Sequence, residues 1–182
     1  MATVKFDYSA IETGYYDRIY QRQQGAQSKW HWLKFQYISD LLEAHGAGAA
    51  GWRVLDIACG PGTFVGSLDA RIDATGVDIA QSQVDYATQH YGAARKRFLR
   101  IDPGPLPFPD NSFDAVTVIE LLEHLPMDQN VALLNEVRRV LKRRTGMLVV
   151  STPNYSSGWP LLEQIVNRFG ELSYADQHIT RF

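Results

Sequence analysis

Among 182 residues there is a single cysteine, Cys59, so no internal disulfide can form, a usage that suits a reducing compartment. Neither sign of charge is in excess. Eighteen Lys and Arg stand against twenty Asp and Glu, for a net charge of −2 and a pI near 6.2. Nothing in that balance signals the broad basic surface by which proteins hold nucleic acid or anionic membranes. No apolar run is long enough to span a bilayer, and the first eight residues, MATVKFDY, lack the apolar stretch of a secretory signal. The expected location is therefore the cytoplasm. Repeats and low-complexity stretches are also missing, which leaves a chain of the size that buries a sizeable core as one domain.

What is present is organised around residues 53–64, RVLDIACGPGTF. Val54, Leu55 and Ile57 form a short apolar run of the kind that makes a buried parallel strand. It ends abruptly in Ala58, Cys59, Gly60, Pro61 and Gly62, a turn in which two glycines let the backbone approach a ligand without a Cβ in the way. Thr63, Phe64 and Val65 then open a helix. Cys59 reads as a small turn residue, since no histidine lies near it in sequence. Asp56 is the informative member. A loop built for a pyrophosphate gathers positive potential, and a carboxylate one residue inside the strand end would repel that anion, so the loop suits a ligand carrying an amine or other positive charge. The glycine spacing, with Gly66 after Gly62, also misses the dinucleotide fingerprint by one residue.

Alternating segments continue from there. A second strand over 74–78 ends at Asp78, sixteen residues past Gly62, about where an open α/β fold sets an acid beside a ribose diol; an N-cap for the next helix, residues 82–91, is the other reading. A third strand over 97–101 ends at Asp102, and a fourth over 115–119 ends at Glu120. Helices are expected over 63–70 and 130–141, and a fifth strand over 146–151. Ahead of the first strand, Ser28 reads as the N-cap of a helix stopped by Gly46. Residues 1–27, with Tyr8, Tyr15, Tyr16 and Tyr20, have too little apolar periodicity for a core helix. Trp30 and His31 near the helix start are read mainly as structural. Lys142, Arg143 and Arg144 read as a solvated face. A helix over 161–169 and a tail through His178 close the chain.

Residues 54–62, VLDIACGPG, and the approach LPFPDNSFD at 106–114 resemble the class I S-adenosylmethionine-dependent methyltransferases. The resemblance implies a doubly wound α/β three-layer sandwich with a mostly parallel sheet in the order 3-2-1-4-5, a Rossmann-like methyltransferase fold. It implies one domain, with residues 1–46 as an N-terminal lid, 52–153 as the cofactor-binding core and 154–182 as a substrate-side segment. Related chains run on into further strands, so the sheet either keeps an open edge that a second chain can pair with or belongs to a longer protein. The cofactor implied is S-adenosyl-L-methionine, leaving as S-adenosyl-L-homocysteine. Its expected neighbours are Asp56, Ala58, Gly60, Gly62, Asp78 on the ribose, Ile79, Gln83, Asp102 on the adenine, and Glu120. At the usual adenine contact after Asp102 stands Pro103, which has no N–H to give. Leu106 and Phe108 either flank the adenine or simply pack.

Methyl transfer is an in-line displacement that positioning alone accelerates greatly. A base helps where the acceptor is a hydroxyl or a protonated amine, and His124, at the sheet's carboxyl edge, is the candidate catalytic residue. A structural role for it is the alternative. The expected partner is a small-molecule acceptor methylated on oxygen or nitrogen, with no nucleic acid, membrane or resident metal, acted on by a monomer or homodimer. A rival uses the i, i+3, i+4 spacing of Glu120, Glu123 and His124, with His178 as a fourth group, to hold Mg²⁺ or Mn²⁺. That set resembles the Hen1-type 3′-terminal ribose 2′-O-methyltransferases of small RNAs. A third reading is a cofactor-binding partner subunit without turnover.

Overall fold

The computed structural model describes residues 12–47, 49 and 51–153. Its five strands, β1 (Arg53–Ile57), β2 (Asp73–Asp78), β3 (Lys96–Arg100), β4 (Ala115–Ile119) and β5 (Met147–Ser151), pair in parallel in the order β3-β2-β1-β4-β5. Register pairs Asp56 with Gly76 on one side and Thr117 on the other. The order reverses between β1 and β4, and at such a switch point the loops leaving adjacent strands turn to opposite faces and open a crevice.

Side-chain alternation divides the core. Val54, Ala74, Ala115 and Val149 face one way, into a cluster with Phe64, Val84, Ala87 and, from the long helix α2 (Ala26–Ala44), Ile38 and Leu42. Leu55, Ile57, Val77, Val116 and Val118 face the other, against Val137 and Val140 of α5 (Met127–Val140). Helices α3 (Thr63–Ser67) and α4 (Gln81–Tyr91) complete the first layer. Fully covered side chains such as Leu42 and Leu55 are worth about 1.5–3 kcal/mol each by burial. Cover on both faces explains why the central strands β1 and β4 are largely apolar runs, whereas the edge strands β3 and β5 each bury only their middle residue.

Two expectations are corrected before β1. Residues 15–21 do form a helix, α1 (Tyr15–Gln21). Its stability comes from tertiary contacts that a periodicity reading does not register, chiefly buried Ile19 and Asp17. Ser28 is not an N-cap. It lies inside α2, which starts after Gly25, and its hydroxyl donates to the Tyr20 carbonyl at 3.3 Å, tying the two helices together. Elsewhere the expected elements are present with shifted ends: α3 is shorter, and α5 begins at Met127 behind Pro126. Leu106 is core and Phe108 packs edge-on against Phe113, so both serve packing. Lys142 pairs with Asp114 at 2.7 Å. Tyr8, Trp159, the 161–169 helix and His178 lie outside the described residues. Among the described residues no helix is long and apolar enough to cross a membrane.

Candidate functional site

The loop leaving β1 coils through three left-handed residues, Ala58 (φ 59°), Gly60 (φ 51°) and Gly62 (φ 77°). Gly62 is needed from beneath. A Cβ there would stand 2.6 Å from the Ala87 Cβ and 2.7 Å from the Phe98 ring. Gly60 faces open space, with nothing within 4 Å of where a Cβ would point. Cys59 is the buried turn residue expected, its N–H donating to Val77 O at 3.0 Å. Burial first, then the charges of Asp56 and Asp78, push its thiol well above the ordinary range, which makes it a poor nucleophile.

Asp78 binds this loop to the end of β2. One carboxylate oxygen accepts the Gly60 N–H at 2.8 Å and the other the Ala80 N–H at 2.9 Å. The carboxylate thus sits level with the open face of Gly60, and each oxygen retains a lone pair for a further donor. The following helix is capped at Ala80 rather than at Asp78.

Asp56 lies deeper than its sequence position suggests. It is 3% exposed, turned toward the α2–α4 layer, and accepts the Thr117 hydroxyl at 2.6 Å. Burial pushes its carboxyl up to about 7, only partly countered by Thr117 and reinforced by the charge of Asp78. Ile79 is half exposed beside the loop. Gln83 is buried and accepts the Gly14 N–H at 3.3 Å, which fastens the segment before α1 to α4. Asp102, at the far edge, is exposed and paired with Arg100.

After β4 the chain turns sharply at Glu120 (φ 51°) into a single 3₁₀ turn, Leu122–His124. Glu120 therefore stands outside the turn that carries Glu123 and His124, and the i, i+3, i+4 spacing is not realised on one helical face. Among the described residues no three His, Cys, Asp or Glu gather as a metal would require. Glu120 instead meets Lys34 of α2 at 2.7 Å. Burial alone would raise its carboxyl, but the Lys34 charge and hydrogen bond, with His31 and Trp30, hold it below the ordinary range. Glu123 is 1% exposed, and neither carboxyl oxygen has a hydrogen-bond partner among the described residues. Burial, with Glu120's charge, pushes it up to about 7. Asn130 Oδ1 and the hydroxyls of Ser151 and Thr152 are likewise buried without partners there. His124 is partly exposed in the same turn.

Sequence reasoning missed what holds the N-terminal helices over this edge. Asp17 of α1 is buried and accepts hydroxyls from Thr63 at 2.9 Å, Tyr86 at 2.9 Å and Tyr91. Phe35 of α2 packs on Phe64 at 5.3 Å. Tyr15 and Tyr16 are in edge contact at the start of α1.

Residues 54–144 match the family model described as a methyltransferase domain. Among curated proteins the chain is similar to a sterol 24-C-methyltransferase of Gibberella zeae, 32% identical over 75% of this chain and 40% of that protein. It is also similar to an O-methyltransferase of Aspergillus nomiae, 33% identical over 67% of this chain and 55% of the other. The chain spans about half the length, or less, of such relatives. Among solved structures it resembles the magnesium protoporphyrin IX methyltransferase of Synechocystis with bound S-adenosylhomocysteine, at TM-score 0.66 and 25% identity over 88% of this chain and 78% of that one.

Proposed function

The chain belongs to the methyltransferase-domain family, whose donor is S-adenosylmethionine, and on that premise we propose that it transfers a methyl group to an oxygen or nitrogen of a small-molecule acceptor. The supporting observation is the pairing of an open, left-handed Gly60 with the Asp78 carboxylate that accepts its N–H, while Glu120 stands at the end of the neighbouring strand β4. Those acids suit a ribose diol and a cationic group, and they repel a pyrophosphate. The residues present therefore fit the donor. Bound there, its sulfonium supplies an activated methyl group.

This chain's residues do the rest by position. Gly60 lets the backbone lie against the nucleoside, Asp78 accepts from the ribose, and α1, latched through Asp17, excludes water. On the acceptor side the buried oxygens of Glu123, Asn130, Ser151 and Thr152, unpaired among the described residues, favour an acceptor with polar groups, since such atoms are ordinarily satisfied. His124 takes the proton that a hydroxyl or ammonium acceptor must release, a contribution of about 10²- to 10⁴-fold. Relatives named for carbon and for oxygen methylation occur side by side, so the acceptor atom rests on His124 and these oxygens.

Calorimetry with S-adenosylhomocysteine and with NAD⁺ tests the donor assignment. Uptake of the nucleoside alone is expected, and uptake of the dinucleotide alone overturns it. Methyl label from the donor should then collect in small molecules of a cell extract, with His124→Ala slowing transfer about 10²-fold or more. Label found only in RNA or protein would contradict the acceptor class.

A further inference from the structure

Trp32 of α2 leaves 48% of its surface open, although the same helix buries Ile38 and Leu42 in the core. It lines a hollow of about 160 Å³, room for about five water molecules. Tyr20 of α1 and Phe35 of α2 bring two more rings to that space, packed on each other with centroids 5.4 Å apart. Buried Leu42 and Ile72 also line it.

The place of the hollow in the fold separates it from the donor crevice. Ile72 immediately precedes Asp73, the first residue of β2, so the hollow lies beside the amino edge of the sheet. Gly60 and Asp78 meet at the carboxyl edge. The length of β2 stands between the two, about 17 Å at 3.3 Å per residue. The inference drawn here goes beyond the methyl transfer proposed above and does not rest on it.

Charge around the hollow is of one sign. Two carboxylates, Glu43 and Asp69, line it, and no lysine or arginine does. Arg71, outside the lining, holds Asp69 at 2.9 and 3.0 Å, so two acids stand against one arginine and a negative charge remains in excess. Lys34 lies 5.6 Å from the centre of the Phe35 ring, but it too is outside the lining, and Glu120 engages its ammonium at 2.7 Å. The face of an aromatic ring attracts a cation, an indole best of all, and the attraction grows as water is excluded. Rings beside an acid, with no ammonium of the protein among them, therefore favour a cationic guest over an anion or a neutral molecule.

We propose that this hollow binds a small alkylated ammonium ion, with Trp32 and Tyr20 against its methyl groups and Glu43 facing its charge. Choline and dimethylbutanol, in which a quaternary carbon replaces the nitrogen, probe the site, since they match in shape and differ in charge. Ligand-observed NMR titration of the whole chain reads contacts of this strength. Choline should bind with a millimolar Kd and the uncharged isostere about tenfold more weakly. Trp32→Ala should weaken choline about tenfold, whereas Trp32→Phe, which keeps a ring, should hold it within about threefold and serves as the folded reference. Glu43→Gln should weaken choline about threefold and leave the isostere unchanged. Saturating S-adenosylhomocysteine should leave choline binding as it was. Equal binding of choline and its isostere, or choline binding undiminished in Trp32→Ala, overturns the proposal. Displacement of choline by S-adenosylhomocysteine also overturns it, by moving the cation to the carboxyl edge, and so does the absence of saturable choline binding, which makes the hollow a solvated notch. The isostere and variant comparisons need no donor, so they decide the proposal whether or not the donor assignment holds.

Discussion

Two turns leave the carboxyl edge of the sheet side by side, and they treat their acids in opposite ways. In the turn after β1 the acid is still inside the strand, covered by the α2–α4 layer and held by one neutral hydroxyl, and burial pushes its carboxyl up to about 7. In the turn after β4 the acid stands one residue outside, and a lysine keeps its charge. The difference teaches that a carboxylate's charge at a strand end is set by what reaches it from elsewhere in the fold. In the proposed complex the anion that meets the cationic donor is Glu120, the one that sequence reading gave the lesser part.

The backbone of the two turns differs as well, and that gives the largest effect. Gly62→Val would force a branched side chain into left-handed backbone and against Ala87 and Phe98, at about 4 kcal/mol from strain and overpacking together. Gly60→Ala meets open space and should cost about 1 kcal/mol, strain alone. Chemical denaturation of both variants checks the contrast, and equal losses would break the picture of a loop packed below and open above.

Next comes the pH dependence of the covered acid. The Asp56 carboxyl is raised in the folded chain to about 7 from an ordinary 3.8. As pH climbs through the ordinary value, the unfolded chain gives up this proton and the folded chain keeps it. Stability therefore falls between about pH 4 and pH 7 and levels off above, by an amount on the order of 2–4 kcal/mol for this group. Asp56→Asn should flatten that decline. Glu123 titrates in the same sense but is common to both proteins and cancels in the difference. Unfolding free energies at pH 4.5, 6 and 8 read the effect, and parallel curves would mean that Asp56 is ionised when folded.

The smallest of the three bears on the ligand. Asp78→Ala removes the acceptor of two backbone N–H groups and, in the proposed complex, of the ribose. S-adenosylhomocysteine affinity should drop by about 1–3 kcal/mol, since partners are left unpaired. Unchanged affinity would detach the β2 acid from the site.

Much of this was legible from local pattern. The apolar run at 115–119 was bounded correctly as β4, and the VLDIACGPG loop followed a strand and preceded a helix as read, because strand composition and glycine turns are properties of neighbouring residues. What escaped depends on partners far along the chain. Lys34 meets a residue 86 positions away, Asp17 draws on Thr63, Tyr86 and Tyr91, and the register that sets Thr117 against Asp56 is a property of the assembled sheet. Helix α1 escaped for the same reason, since docking rather than periodicity sustains it. The spacing of Glu120, Glu123 and His124 misled because a helical turn was assumed where the backbone passes through φ 51°.

The central claim is that Asp78 at Gly60 and Glu120 at the end of β4 receive a cationic nucleoside at this edge of the sheet. A crystal structure with S-adenosylhomocysteine tests it most directly. The account predicts the ribose diol on Asp78, the sulfur over Gly60 and the amino group on Glu120. Density for the nucleoside anywhere else on the chain, or in this crevice with a phosphate-bearing ligand displacing it, would contradict the account.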